Sequence, residues 1–134
     1  MAKDLYHDAV KNALIKAGWK ISNEPFYLRI DDEHAYFIDI LAEKWIIARK
    51  SKEWLFVEVK SFIAKSDAYE LHSSVGQYLI YRAALKYLKI KKRIVLAVPI
   101  EVYANLFQSD FVQFVMEEYD IELLPYDPFK EVLI

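Results

Sequence analysis

The sequence contains no cysteine and only two glycines in 134 residues. Without cysteine, disulfide bonds, zinc–thiolate sites and thiol chemistry are excluded. With only Gly18 and Gly76, neither a Walker phosphate loop nor a G-x-G-x-x-G dinucleotide loop can form. A G-x-S-x-G nucleophile elbow is absent too. These absences exclude the common nucleotide-binding, serine-hydrolase and cysteine-dependent classes of enzyme.

Long apolar runs are also missing, and the N-terminal segment MAKDLYHDAV has no signal-peptide core. We therefore expect a cytoplasmic protein with no membrane association. The formal net charge of −2 argues against tight, nonspecific binding of nucleic acid. A local basic cluster over residues 86–93 could still contact phosphates, although such clusters are more often solvated helix ends.

The pattern of elements indicates one α/β domain over residues 1–134. Hydrophobic residues make up 55% of the chain, and no repeat, linker or low-complexity tract interrupts it. Periodicity predicts helices over residues 3–17, 67–89 and 102–118. Strands are predicted near residues 19–22, 26–30, 36–48, 54–62, 94–98 and 121–124, the last one stopped by Pro125. Helices between strands favour a central mixed sheet flanked by helices.

The most informative stretch is YFIDILAEKWIIARKSKEWLFVEVKSF, residues 36–62, which is typical of two strands joined by a polar turn. On the second strand, Glu58 and Lys60 share a face with large aromatic side chains. On the first strand, Asp39 and Glu43 share a face in the same way. Charges set into apolar strands are costly unless they are paired or bound to a metal. The hairpin is therefore the candidate site.

Asp39 followed by Glu58-Val59-Lys60 is a pattern that suits metal-assisted chemistry. Two carboxylates about 5 Å apart repel by roughly 3 kcal/mol at an effective dielectric constant near 20. A cation such as Mg²⁺ or Mn²⁺ between them turns that repulsion into a binding site. Lys60 could then orient a water or stabilise charge on a phosphate. The alternative is a salt-bridged hairpin with its charges on a half-solvated face.

The register of the hairpin decides which carboxylate lies beside Glu58. A tight turn near Ser51-Lys52 would bring Glu43 close to Glu58. A bulge or a longer loop would bring Asp39 there instead. Both alternatives remain open at this point.

Two predicted helices carry polar side chains that could face the same region. In the first, His7 lies at the edge of the apolar stripe, with Asp4 one turn earlier. A lone histidine in such a position is more often a hydrogen-bonded residue at the core edge than a ligand. In the second, Gln77 lies one turn before Tyr81 on the inner stripe. A buried amide needs a partner, either at the site on the sheet or at a backbone carbonyl.

Taken together, these elements and motifs resemble the PD-(D/E)xK nuclease superfamily, which has a restriction-endonuclease-like three-layer fold. The resemblance implies that Asp39 and Glu58 bind Mg²⁺ and that Lys60 assists phosphodiester hydrolysis. Asp39 is preferred over Glu43 on this pattern, and Glu43 is kept as a supporting residue. Ile38, not proline, precedes Asp39, which departs from the motif.

The resemblance extends to the helices. Residues 77–81, QYLIY, match the Q-x-x-x-Y motif of some branches, which implies that Gln77 orients the lysine or the substrate and that Tyr81 packs behind. The acid of the first helix would be Asp4 or Asp8, with Asp4 preferred.

Five blocks give a closer resemblance, to the XisH family: KDLYHDAVKNALIKAGW, IDILAEKWIIARK, FVEVKSF, GQYLIYR and LAVPIEVY. That family is named for control of fdxN element excision, alongside a site-specific recombinase and a second small protein, XisI. The resemblance implies DNA, an XisI-like protein and a recombinase as partners, and it leaves a homodimer open. The chain is then either a Mg²⁺-dependent endonuclease or a catalytically inactive accessory protein with a nuclease fold. A structural cluster of ion pairs without a metal is the third alternative.

Overall fold

The computed structural model describes residues 4–63 and 66–134. The strands are β1 (Lys20–Asn23), β2 (Phe26–Arg29), β3 (Ala35–Ile38), β4 (Ile40–Ile46), β5 (Ser51–Val59), β6 (Arg93–Pro99), β7 (Leu123–Asp127) and β8 (Val132–Leu133). The helices are α1 (His7–Lys16), α2 (Asp67–Tyr87), α3 (Ile100–Asn105) and α4 (Asp110–Glu118). Six strands form one mixed sheet in the order β1-β4-β5-β6-β7-β8, and β2 pairs with β3 in a separate hairpin.

Helices cover both faces of the six-stranded sheet. On one face, Val10 and Leu14 of α1 pack in a buried cluster with Val57 of β5. On the other face, Tyr78 of α2 and Met116 of α4 pack in the cluster that contains strand and hairpin side chains. The expected three-layer α/β arrangement is confirmed, because a mixed sheet with buried strands needs apolar cover on both sides.

Strand β5 runs through the centre of this sheet, between the antiparallel β4 and the parallel β6. Its side chains alternate between the faces, so Leu55 and Val57 lie in the α1 cluster and Phe56 lies in the α2 cluster. Glu58, two residues after Phe56, consequently belongs to the α2 face of the sheet. This alternation positions the candidate site under α2.

Several predicted boundaries differ from the structure, among them those of the first hairpin strand and of the strand predicted to end at Pro125. The first strand of the hairpin is interrupted at Asp39, where the chain leaves β3 and enters β4 in a different sheet. The prediction that the last strand ends at Pro125 was wrong, because β7 continues through it. Pro125 lies beside Val98 of β6, and its carbonyl accepts the N–H of Ile134 at 3.1 Å. A proline is tolerated there because its carbonyl is available for pairing even though it has no N–H.

Helix starts follow the expected capping chemistry. The hydroxyl of Ser66 accepts the N–H of Tyr69 at the start of α2, and Ser109 accepts the N–H of Val112 at the start of α4. None of the described helices has the length and apolar character that crossing a membrane requires.

Candidate metal centre at the end of the central strands

Asp39 and Glu58 lie side by side. The pairing of Ile40 with Val57 sets the register, and Asp39 is the next residue toward Glu58. The N–H of Asp39 donates to Glu58 Oε1 at 3.4 Å, and the N–H of Val59 donates to Asp39 Oδ2 at 2.7 Å. The Glu58 carboxylate therefore accepts a hydrogen bond from the backbone of Asp39, and the Asp39 carboxylate accepts one from the residue that follows Glu58.

This register results from the connection between β4 and β5. Residues 47–49 form a 3-10 turn, and Lys50 follows in the left-handed conformation with φ of 50°. The connection comprises residues 47–50 and so lies before Ser51-Lys52, and this earlier position of the turn brings Asp39 opposite Glu58.

Glu43 lies away from that pair. It faces Trp54 across the strands, four residues or about 13 Å before Glu58. Its carboxylate is 3.4 Å from Nζ of Lys52. The structure therefore gives Glu43 a partner in its own part of the hairpin.

The electrostatics of the pair favour bound protons or a bound cation. Glu58 is only 4% exposed. Burial, and then the neighbouring charge of Asp39, raise the pKa of Glu58 to about 9. Burial also raises the pKa of Asp39, against the opposing effect of hydrogen bonds and nearby cations. Without a cation, the pair therefore favours the protonated state at neutral pH.

Lys60 is the cation next to the pair, with its Nζ 4.0 Å from Glu58 Oε2. Its backbone is fixed on both sides: its N–H donates to the carbonyl of Ala97 at 3.1 Å, and the hydroxyl of Tyr126 donates to its carbonyl at 3.0 Å. Tyr126 is completely buried. Sequence reasoning missed this tyrosine, because nothing in the C-terminal segment indicates which carbonyl it reaches.

Asp4 extends the same support rather than joining the pair. Its Oδ2 accepts the N–H of Ser61 at 3.0 Å, and its Oδ1 accepts the N–H of Tyr6 at 3.0 Å. It therefore connects the start of α1 to the residue after Lys60. Asp8, the other candidate acid, is exposed.

His7 is buried between this helix and the sheet. Its Nε2 lies 2.7 Å from Glu24 Oε2, and its Nδ1 is buried with no hydrogen-bond partner among the described residues. His7 is one of the groups that counteract the effect of burial on the pKa of Asp39. The structure thus brings His7 into the electrostatic environment of the pair.

Helix α2 contributes Tyr81 and Gln77. The ring of Tyr81 lies against that of Tyr36, with centroids 5.5 Å apart. Burial, followed by the charges of Glu58 and Asp39, raises the pKa of Tyr81 to about 12, so its hydroxyl stays a donor at neutral pH. The amide oxygen of Gln77 is buried and accepts no hydrogen bond within the described part of the chain.

The donor set suits a magnesium ion only in part. Across residues 4–63 and 66–134, no group of three or more His, Cys, Asp or Glu side chains is arranged to hold a metal. Mg²⁺, however, is commonly bound by one or two carboxylates and completed by waters and substrate phosphates. Asp39 and Glu58 therefore fit a cation shared with a substrate and do not fit a closed structural metal site.

The fold and the site together define a three-layer α/β protein with a partly buried acidic pair and a lysine at the carboxyl end of the central strand β5. The family model described as XisH protein matches residues 1–134. The chain belongs to the XisH family.

Two solved structures are similar over nearly the whole chain. An XisH family protein from Nostoc punctiforme is 34% identical, with a TM-score of 0.85, and the match covers 98% of this chain and 97% of that one. An fdxN element excision controlling factor protein from Anabaena variabilis is also 34% identical, with a TM-score of 0.84 and the same coverage. No significantly similar protein was found among those with curated functional descriptions.

Proposed function

We propose that this XisH-family protein is a Mg²⁺- or Mn²⁺-dependent endonuclease that hydrolyses DNA phosphodiester bonds during excision of a DNA element. The observation that carries the proposal is the partly buried contact between Asp39 and Glu58, with Lys60 next to it. This arrangement also supports membership of the PD-(D/E)xK superfamily. DNA is the proposed substrate because a relative of the same fold is an excision controlling factor.

In this proposal Asp39 and Glu58 hold the cation. Bringing two carboxylates together inside a protein is unfavourable, and here the cost appears as a raised pKa of both groups. A divalent cation that replaces the proton on Glu58 removes the cost of both burial and repulsion. When bound, the cation would polarise a phosphoryl oxygen of the substrate.

Lys60 supplies positive charge beside the reacting phosphate. Its fixed backbone and its ammonium at 4.0 Å from Glu58 keep this charge close to the carboxylates. It can orient the attacking water or stabilise the charge that develops on the phosphate as the P–O bond breaks. The unpaired amide of Gln77 is the candidate for orienting Lys60 or the substrate, and the hydroxyl of Tyr81 is a further donor near the pair.

A second candidate function is that of a catalytically inactive accessory protein that binds an XisI-like protein or a site-specific recombinase. The observations that favour it are the formal charge of −2 and the exposed aromatic side chains of α4. Phe111 is 70% exposed and Phe114 is 60% exposed, one turn apart on the same helix. Exposed apolar surface of this kind is typical of a contact with a protein partner.

The test is cleavage of labelled duplex, single-stranded and branched DNA with Mg²⁺ or Mn²⁺, with and without an XisI-like protein. Lys60→Ala is compared with Lys52→Ala, which removes a lysine from the other end of β5. We expect Lys60→Ala to lower the cleavage rate about 10²–10³-fold, the range found when one group that stabilises transition-state charge is removed. Lys52→Ala should cleave like the wild type.

Cleavage that persists in Lys60→Ala would contradict the assignment of this site. If no DNA is cut under any condition, while the protein binds an XisI-like protein or a recombinase, the accessory function replaces the enzymatic one.

A further inference from the structure

A cavity of about 470 Å³ lies at the end of the sheet opposite the acidic pair. Its wall contains one third of the chain's 18 lysines and arginines, whereas only two acidic residues line it. We name this cavity the basic pocket, after its six cationic residues Arg82, Lys86, Lys89, Lys91, Lys92 and Arg93. In a chain of net charge −2, such a concentration leaves the rest of the molecule distinctly acidic.

The two arginines of the basic pocket form hydrogen bonds within the protein. Arg82 donates to the carbonyls of Tyr119 and Asp120 at 2.7 Å each. Arg93 donates to Glu53 at 2.7 Å and also to Glu122. These hydrogen bonds fix one wall of the pocket. They also place an arginine next to each of the two acidic residues of the pocket, Asp120 and Glu122.

Three of the four lysines have no such role. Lys86, Lys89 and Lys91 are exposed, and their ammonium groups form no ion pair or hydrogen bond within the described parts of the chain. A cation near a helix C-terminus is favourable within the last turn, which accounts for Lys86 at the end of α2. It does not account for Lys91, which lies beyond the helix and before β6. Several uncompensated cations around one cavity therefore point to an anionic ligand.

We propose that the basic pocket is a second DNA-binding surface, which holds the phosphate backbone at a distance from the acidic pair; this rests on the proposed function, which makes DNA the substrate. Arg93 is in register with Leu55 of β5, and Glu58 is three residues further along that strand. Three residues of strand span about 10 Å, the length of about three phosphates along one DNA strand. A DNA segment at the acidic pair therefore extends as far as the pocket.

A DNA backbone is favoured over an acidic protein by position, because Arg93 of the pocket and Glu58 of the proposed cleavage site are about three strand residues, or about 10 Å, apart. The exposed lysines can bind phosphate oxygens as point charges, while both arginines are already occupied by contacts within the fold. An acidic protein partner is the outcome against which the proposal is tested.

The experiment measures binding of a short labelled DNA duplex by fluorescence anisotropy, in EDTA and over a series of salt concentrations. The double variant Lys89→Gln/Lys91→Gln is compared with Lys20→Gln/Lys50→Gln, which removes the same charge from exposed positions elsewhere. Each lost phosphate contact lowers the slope of log affinity against log salt by about 0.9. The pocket variant should therefore lose about 2 in slope and at least about tenfold in affinity near 0.1 M salt. The control variant should match the wild type.

Equal salt slopes in the two double variants would overturn the proposal, as would a pocket variant that binds DNA normally but loses binding to poly-L-glutamate. The result is independent of catalysis. If the affinity for DNA depends on the pocket but no DNA is cleaved, the second DNA-binding surface is supported and the nuclease proposal is refuted. If DNA is cleaved but the affinity does not depend on the pocket, the nuclease proposal is supported and the second surface is refuted. Far-UV circular dichroism and the thermal midpoint of each variant exclude misfolding as the cause of a lost affinity.

Discussion

Two glutamates of the same strand, five residues apart, have opposite surroundings. Glu53, near the start of β5, is half-buried; its Oε1 lies 2.7 Å from Arg93 and its Oε2 lies 3.3 Å from Arg49. Glu58, near the end of β5, is buried beside a second carboxylate, and its cation Lys60 is at 4.0 Å. One glutamate is neutralised by the fold, and the other is not.

The difference supports the proposal that Glu58 is a functional charge, whereas Glu53 is a structural one. A fold that only needed an ion pair would repeat the arrangement of Glu53, in which each oxygen has a guanidinium partner. At Glu58 the fold accepts a cost that a buried apolar residue would avoid. Such a cost is expected at a site that a bound ligand completes.

The largest effect that would distinguish Glu58 from Glu53 is expected in the pH dependence of the free energy of unfolding, measured in the absence of metal. The pKa of Glu58 is about 9 in the folded protein, against 4.5 as the reference value for the unfolded chain. Between these values the folded state binds more protons, so the free energy of unfolding should fall as the pH rises from about 5 to 9. One fully linked proton corresponds to about 1.4 kcal/mol per pH unit, and we expect a slope on the order of 1 kcal/mol per unit.

Urea denaturation at a series of pH values in EDTA measures this slope. Glu58→Gln mimics the protonated acid and should lose the slope, whereas Glu53→Gln should keep it. Saturating Mg²⁺ should also reduce the slope in the wild type, because the cation replaces the proton. Parallel curves for the wild type and Glu58→Gln would place the titrating group elsewhere and break the comparison.

The next effect concerns the hydrogen bonds that hold the two ends of the central strands. Tyr126 donates to the carbonyl of Lys60 at 3.0 Å, and Tyr78 donates to the carbonyl of Ile94 at 2.9 Å. Each tyrosine to phenylalanine change removes the donor to a backbone carbonyl and should cost about 1–3 kcal/mol of stability. Tyr78→Phe also removes the acceptor of the Glu122 N–H. Only Tyr126→Phe should also lower kcat for DNA cleavage, by several-fold with little change in KM, because it releases the backbone of Lys60.

Steady-state kinetics and urea denaturation of both variants measure these effects. Since the two substitutions are chemically identical, a loss of kcat in Tyr78→Phe equal to that in Tyr126→Phe would show that general loosening of the sheet is responsible, and it would remove the positioning role of Tyr126.

The smallest effect on stability is expected from substitution of Glu53, the glutamate that has arginine partners. Glu53→Gln removes the charge from two partly exposed ion pairs, with Arg93 and with Arg49, and exposed pairs contribute about 0–1 kcal/mol. We expect a loss of stability below about 1 kcal/mol that shrinks at high salt, and no change in the rise of the thermal midpoint on addition of Mg²⁺. Abolition of the Mg²⁺ effect by this variant would mean that the two ends of β5 are not independent.

Much of the fold could be predicted from sequence because its signals are local. Strand β6 is a continuous apolar run, and α4 begins at a serine N-cap, so neither depends on distant contacts. The family, too, was identifiable from short blocks of residues. The split of the first hairpin strand at Asp39 was not predictable, because both halves have the same strand-like composition and differ only in the sheet they join.

The candidate site was predictable in composition but not in geometry. From the strand pattern alone, either Asp39 or Glu43 could lie beside Glu58 until the conformation of the turn is known. That conformation includes Lys50 in the left-handed region, which the residue type does not predict. The support from Tyr126 and Asp4 joins segments far apart in the chain, which periodicity cannot detect.

The position of Asp39 at the border between two sheets has a mechanical consequence. Glu58 belongs to the six-stranded sheet, whereas Asp39 follows directly after the last residue of the β2–β3 hairpin. The hairpin is held from below by side-chain packing, for example of Phe26 on Phe56 with ring centroids 5.0 Å apart. An ion shared by the two carboxylates would therefore connect the hairpin to the six-stranded sheet. Binding of the ion would order the hairpin, and ordering of the hairpin would favour binding of the ion.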